Sequence, residues 1–193
     1  EEGSPAHKFI MDIYSFCNNL YVLIGNHDKV NERDFLTDKH IFNPFKLIPG
    51  ITIVDDVLIE IIDNEKFVFM PHVSDDRFFE ALETKKLYPP FDGISVIFPH
   101  SEVETSNMNK LSKNKTFQWL PNFPLAISGH DHLYQIVFPN WYYPGSLFAT
   151  NSSDIDKKTI SDFETKGREI LSHNQYDLEI RGNFKLKLTD KEL

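Results

Sequence analysis

The chain has 193 residues, 40% of them hydrophobic, with 17 Phe and 7 Tyr, which suits one domain of ordinary size with a real core. Its formal charge of -9 argues against broad electrostatic binding to nucleic acid, which needs a basic face, but leaves room for a nucleic-acid enzyme whose divalent ions supply positive charge locally. A single cysteine, Cys17, excludes an internal disulfide and a cysteine-based zinc site and fits a reducing, cytoplasmic setting (host cytoplasm for a viral protein). No apolar run approaches the length of a membrane helix, so no membrane partner is expected.

In chain order, "SPAHKFIMDIYSFC" places Phe9, Ile10, Ile13, Tyr14 and Phe16-Cys17 at helical spacing and predicts a helix from Pro5 to about Cys17, with Pro5 suited to its first turn. The chain opens on Glu1, directly before this helix, so a preceding segment is expected. "LYVLIG" reads as a short buried parallel strand. Lys29 to Gly50 is irregular. "GITIVDDVLIEIID" and "KFVFMPH" read as strands joined by a turn at Asp63-Asn64-Glu65. "SDDRFFEALETKK" starts on a good N-cap, Ser74, and reads as a helix whose Asp75-Asp76 suit its N-terminus. "GISVIFPHS" and "PLAISGHDH" are further apolar strands, separated by the polar "SEVETSNMNKLSKNK". "YQIVFPNWYYPGSL" is a strand pair. "DKKTISDFETKGREIL" reads as a helix and "DLEIRGNFKLKL" as an edge strand. Strands alternating with helices argue for α/β or α+β layers. Residues 1–150 read as the core and 151–193 as an extension, the start of a capping or partner-binding region.

Three apolar strands share one ending. "LYVLIG" runs into Asn26-His27-Asp28, "GISVIFP" into His100, and "PLAISG" into His130-Asp131-His132. Ligands of open α/β sheets bind beyond the carboxyl ends of the strands, so four histidines and an asparagine are expected along one edge of one sheet. Imidazole nitrogen and carboxamide oxygen together suit a divalent transition metal. Two such ions ~3.5–4 Å apart can clamp both the attacking and the leaving oxygen of a phosphoryl displacement.

Gly-Asn-His-Asp, an isolated His after a strand, Gly-His-x-His and then "YPGS" at Tyr143 to Ser146, in this order, resemble the calcineurin-like metallophosphoesterase superfamily. That resemblance covers roughly Pro5 to Ser146. It implies a four-layer α/β/β/α sandwich of two mixed sheets with a dinuclear centre, manganese first and zinc or iron as alternatives. Asn26, His100 and His130 would bind the second metal and His132 the first. His27 would face the scissile phosphate and either stabilise the transition state or protonate the leaving oxygen, with Asp28 orienting it. "VLIGNHD", "FPHSEVE" and "SGHDHLYQI…YYPGSL" look most like the nuclease subunit of SbcCD-type DNA repair complexes and the recombination endonuclease subunits of phages. That branch implies DNA as substrate, a homodimer, and an ATPase partner of SbcC type. Two superfamily motifs, Asp-x-His and Gly-Asp-x-x-Asp, which supply the first metal's other ligands and the bridging carboxylate, are not in these residues. They would occupy about one βαβ unit, ~30 residues or more. They are expected upstream or from another chain, unless the protein is a metal-poor relative.

Other residues carry blander readings. His72, at the end of "FMPH", is a candidate to touch substrate but reads first as a supporting residue. His7, His40 and His173 read as surface residues, and Asp131 as a loop-fixing acceptor. Trp119, Trp141 and Tyr142 read as core rather than as a base-stacking platform. Lys110, Lys113, Lys115, Lys29 and Arg33 read as solvated loop charge. Three functions stay open: a DNA exo/endonuclease subunit, an inactive scaffold of the same fold, and a small-molecule phosphoesterase.

Overall fold

The computed structural model describes residues 5–103, 117–147 and 158–178. Two sheets and a hairpin organise them. Strand β1 (Leu20–Leu23) pairs in parallel with β2 (Ile51–Val54). Strands β3 (Leu58–Ile62), β4 (Glu65–Met70), β5 (Val96–Pro99), β6 (Leu125–Ile127), β7 (Tyr134–Phe138) and β8 (Trp141–Pro144) form a six-stranded mixed sheet in the order β3-β4-β5-β6-β8-β7. Its central pairs β4-β5, β5-β6 and β6-β8 are parallel, and its edges are antiparallel hairpins. The fold is therefore α+β.

Side-chain alternation along the strands sorts the core into layers. Val68, Met70, Ile97, Ala126, Trp141 and Tyr143 face one side of the large sheet, where Phe78, Ala81 and Leu82 of helix α2 (Phe78–Glu83) and the buried Trp119 complete a dense aromatic core. Phe67, Phe69, Val96, Phe98, Leu125 and Ile127 face the other side. There Tyr21 of β1 stacks on Phe69 at 4.4 Å, so the small sheet lies over the large one. On β1 and β2, Leu20, Val22, Ile51 and Ile53 turn the opposite way and pack with Ile10 and Met11 of helix α1 (Pro5–Tyr14). The layer order is α1, small sheet, large sheet, α2.

Several elements differ from the sequence expectation. The three metal-motif strands do not belong to one sheet: β1 is in the small sheet, and β5 and β6 are in the large one. The single strand expected over 50–63 breaks at Asp55-Asp56 and changes sheets. Asp55 is drawn away by His40 Nε2 (3.1 Å) and Lys46, and Asp56 Oδ1 accepts the Val57 amide at 2.7 Å. The helix expected over 156–171 is instead a hairpin of β9 (Thr159–Lys166) and β10 (Glu169–Asp177). Thr159, Ser161, Phe163 and Thr165 alternate with more exposed residues at period two, and Gly167, at φ +58°, opens a two-residue turn that suits a primed hairpin loop. Helix α1 ends at Tyr14 rather than Cys17. The helix expected from Ser74 begins as a 3-10 turn over Asp75–Arg77, with no side-chain cap from Ser74. His40 is buried against Asp55 and is not a surface residue. The strand expected from Asp177 onward and the loop lysines Lys110, Lys113 and Lys115 lie almost wholly outside the described residues.

The β9-β10 hairpin packs Phe163 and Ile170 on the large sheet. Arg168 at its tip donates to the carbonyls of Phe91 (2.7 Å), Asn122 (2.7 Å) and Ile94 (3.0 Å), and Gly167 N–H donates to Glu65 at 2.8 Å. One guanidinium thus pins the hairpin to the loops that precede β5 and β6.

Candidate metal centre

Although β1 lies in a different sheet, its carboxyl end is brought to the same place as those of β4, β5 and β6. A row of backbone bonds runs across the strand ends. His72 N–H donates to Ile24 O at 2.7 Å, His100 N–H to Met70 O at 3.2 Å, and Gly129 N–H to Pro99 O at 3.2 Å. Ser128 Oγ, fully buried, accepts the Ser101 amide at 3.2 Å and donates to the Ser101 carbonyl at 2.7 Å. Tyr143 Oη accepts the Val103 amide at 3.0 Å. The turn carrying His100 is therefore fixed from β6 and β8, and the turn carrying His130 hangs from the same clamp. Lys29, buried, donates from Nζ to Asp34 O (2.8 Å) and His72 O (3.1 Å) and ties the loop after Asp28 to the end of β4.

The turns enclose an open cleft of about 510 Å³ lined by Asn26, His27, Asp28, His100, His130 and His132. Six of the seven candidates from the sequence, all but His72, stand on one cleft; Glu102 and Asp131 line it as well, and neither was singled out as a cleft carboxylate by sequence. His72 sits behind, its ring centre 6.1 Å from those of both His100 and His130.

Residues 26–28 form one 3-10 turn. Asp28 Oδ2 accepts the Gly25 amide at 2.7 Å and closes that turn; this backbone bond, rather than His27, is the partner the structure gives the carboxylate. Asn26 is half-buried and His27 exposed at the cleft rim. Asn26 Oδ1 faces His100 Nε2 at 3.3 Å, and Asn26 Nδ2 lies 3.3 Å from His27 Nε2 and 3.1 Å from Glu32 Oε1. Asp131 lies between the two histidines of its motif with both oxygens engaged, by Leu133 N–H at 2.9 Å and Gln135 Nε2 at 2.6 Å, so it fixes the loop. His132 accepts Ser146 N–H at its carbonyl (3.1 Å), which joins the Gly-His-x-His turn to the "YPGS" turn.

Burial favours the neutral form of three imidazoles, His72, His100 and His130. Burial, helped by the nearby His130, His72, His132 and His27, pushes His100 down to about 3. Burial, with Lys29 and His130 adding to it, pushes His72 down to about 4. His130 is also lowered, chiefly by burial, against an opposing pull from Glu102 and Asp131. Metal ligation requires neutral imidazole, so this environment favours the ligand form.

The geometry can be tested against a metal. Two donor atoms ~2.1 Å from one ion lie ~3.0–3.4 Å apart at octahedral to tetrahedral angles; Asn26 Oδ1 and His100 Nε2 are 3.3 Å apart. Two imidazoles on one ion at that length hold their ring centres about 5 Å apart. The His100 and His130 rings stand 5.2 Å apart, at 87°. Among the described residues, the buried His130 Nδ1 has no hydrogen-bond partner, as a nitrogen awaiting a ligand would have none. At 6.1 Å, His72 falls outside that spacing. Among the described residues no three His, Cys, Asp or Glu side chains converge on one point. The Asn26–His100 and His100–His130 spacings thus each suit donors to one ion, with an uncharged carboxamide in place of a third residue of those types.

No family model matches the chain. It aligns with "Putative phosphoesterase 078R" of Invertebrate iridescent virus 3 at 31% identity over 186 residues, covering 89% of this chain and 53% of that protein. It aligns with "Putative phosphoesterase 244L" of Invertebrate iridescent virus 6 at 34% over 144 residues, covering 75% of this chain and 50% of that protein. This similarity supports a phosphoesterase family. The chain spans about half the length of these curated relatives. Among the described residues no helix is long and apolar enough to cross a membrane.

Proposed function

We propose that this chain carries part of the centre of a metal-dependent phosphodiester hydrolase, and specifically of a DNA exo/endonuclease subunit. The observation that carries the reading is the meeting of Asn26 Oδ1 and His100 Nε2 at 3.3 Å beside the unpartnered Nδ1 of His130, in a chain similar to phosphoesterases. Asn26, His100 and His130 would hold one divalent ion, manganese first and zinc or iron as alternatives, and His132 would contribute to a second. Bound divalent ions supply Lewis acidity and activation of water for in-line attack on phosphorus. His27 is exposed at the rim; with Nε2 accepting from the Asn26 amide, its Nδ1 would hold the proton for the departing oxygen. Asp28 keeps the turn that presents both residues. In this reading the protein acts on DNA as a homodimer with an ATPase subunit of SbcC type.

The formal charge of -9 favours recognition through bound cations rather than through a basic face. The engaged carboxylates Asp28 and Asp131 favour a second reading, an inactive scaffold. The test is hydrolysis of linear and nicked DNA, with a chromogenic small phosphodiester in parallel, with manganese and with EDTA, by the protein and its His27→Ala and His130→Ala variants. The nuclease reading predicts manganese-dependent DNA cleavage lost in both variants. Unchanged cleavage in both would contradict it. Turnover of the small ester alone would assign a small-molecule phosphoesterase, and no turnover with no bound metal would assign the scaffold.

A further inference from the structure

Asn26 can serve a cation only through Oδ1, because Nδ2 has no lone pair to give. A carboxamide is nearly symmetrical in shape, and its orientation is decided by the partners of its two ends. The outward end of Asn26 has two such partners. Nδ2 donates to Glu32 Oε1 at 3.1 Å, and Nδ2 also lies 3.3 Å from His27 Nε2, which must accept there. The inward end, Oδ1, faces His100 Nε2. Of the two outward partners, only Glu32 is obligatorily an acceptor, since His27 changes role with its tautomer. Donation from Asn26 is also the main reason the Glu32 carboxyl lies below its usual range.

We infer that Glu32 is a positioning residue: it locks the Asn26 carboxamide with its oxygen toward His100 and its nitrogen toward His27. This rests on the metal reading above and extends it to a residue outside the motifs. The lock has two consequences. Asn26 is preorganised as a ligand, and His27 Nε2 is held as an acceptor by the same amide, which leaves the ring's proton on Nδ1, so the ligand and the His27 ring are oriented by one carboxylate. Glu32 is an exposed residue, so its removal leaves the core untouched.

The test is calorimetric titration of the chain with Zn2+ alone and with Mn2+ alone, in wild type, Glu32→Ala, Glu32→Gln, Asn26→Asp and the double variant Asn26→Asp/Glu32→Ala, alongside urea unfolding in EDTA. Loss of an outer partner of a ligand weakens metal binding by roughly 10-fold or more. The expected result is that loss in Glu32→Ala, retention in Glu32→Gln, and unfolding midpoints equal to wild type. In the Asn26→Asp background, where both side-chain oxygens are equivalent and nothing needs to be oriented, removing Glu32 causes no loss. An equal loss in both backgrounds would make Glu32 a remote charge and overturn the inference, as would wild-type affinity in Glu32→Ala. Absence of binding by the wild-type chain, rather than by the Glu32 variants, would instead overturn the metal reading itself.

Discussion

Asn26 Oδ1 and His100 Nε2 lie 3.3 Å apart although 74 positions separate them in the chain. One ends a strand of the small sheet and the other ends a strand of the large sheet. A proton on Nε2 now joins two groups that one cation would join as ligands, so metal binding requires His100 to move its proton to Nδ1.

Gly25 makes that meeting possible by size rather than by backbone freedom. Its φ is -82°, open to any residue. A Cβ there would stand 3.1 Å from His100 Cε1, 3.2 Å from His100 Nε2 and 3.1 Å from Asp28 Oδ2. Gly25→Ala should displace the His100 ring, cost about 1–3 kcal/mol of stability through overpacking, and weaken zinc binding. Urea unfolding and zinc titration of the variant check both effects.

The Ser128 hydroxyl clamps the Ser101 backbone from both sides. Ser128→Ala removes the partner of the buried Ser101 N–H and leaves the Ser101 carbonyl only the longer bond from Tyr143 Oη (3.4 Å), and should cost about 1–3 kcal/mol. Because His100 precedes the clamped residue and His130 follows Ser128 by two positions, the variant should also lose metal affinity. Chemical denaturation with and without zinc separates the two losses.

The buried histidines set a pH dependence for the metal-free chain. His72 and His100 sit at about 4 and about 3 when folded, against an ordinary value of about 6.5 when unfolded. Below pH 6.5 the unfolded chain takes up protons that the folded chain refuses. Stability is therefore fully present above that pH and is lost as the pH falls toward 4 and then 3; His130 adds in the same direction. The urea midpoint in EDTA should drop between pH 7.5 and pH 5. An equal or higher midpoint at pH 5 would contradict the neutral cluster.

Arg168 offers a stability test away from the cleft. Its guanidinium satisfies the carbonyls of Phe91, Ile94 and Asn122. Arg168→Ala should cost about 2 kcal/mol, on the order of one hydrogen bond from a charged group. Arg168→Lys should recover only part of this, because an ammonium cannot span the same fork. Amide exchange of Phe163 and His173 should rise in step.

The candidate site was legible because its residues are punctuation: Asn26-His27-Asp28, His100 and His130-Asp131-His132 each follow an apolar strand. What could not be read was how those strand ends meet. Asp55-Asp56 moves the chain from one sheet to the other through contacts with His40 and Lys46, which come from a stretch without periodicity. The β9-β10 hairpin reads as a helix because its apolar residues are sparse, and its Phe163 gains meaning only against the large sheet. Glu32 and Ser128 left no signal, since a charged loop residue and a serine just past a strand end are common everywhere. Their roles exist only in three dimensions.

The most direct measurement is anomalous diffraction from crystals of the protein soaked in manganese, collected above and below the manganese edge. The account predicts a peak ~2.1–2.3 Å from Asn26 Oδ1, His100 Nε2 and His130 Nδ1. Crystals at saturating manganese with no anomalous peak in that cleft, and none there with zinc, would contradict it.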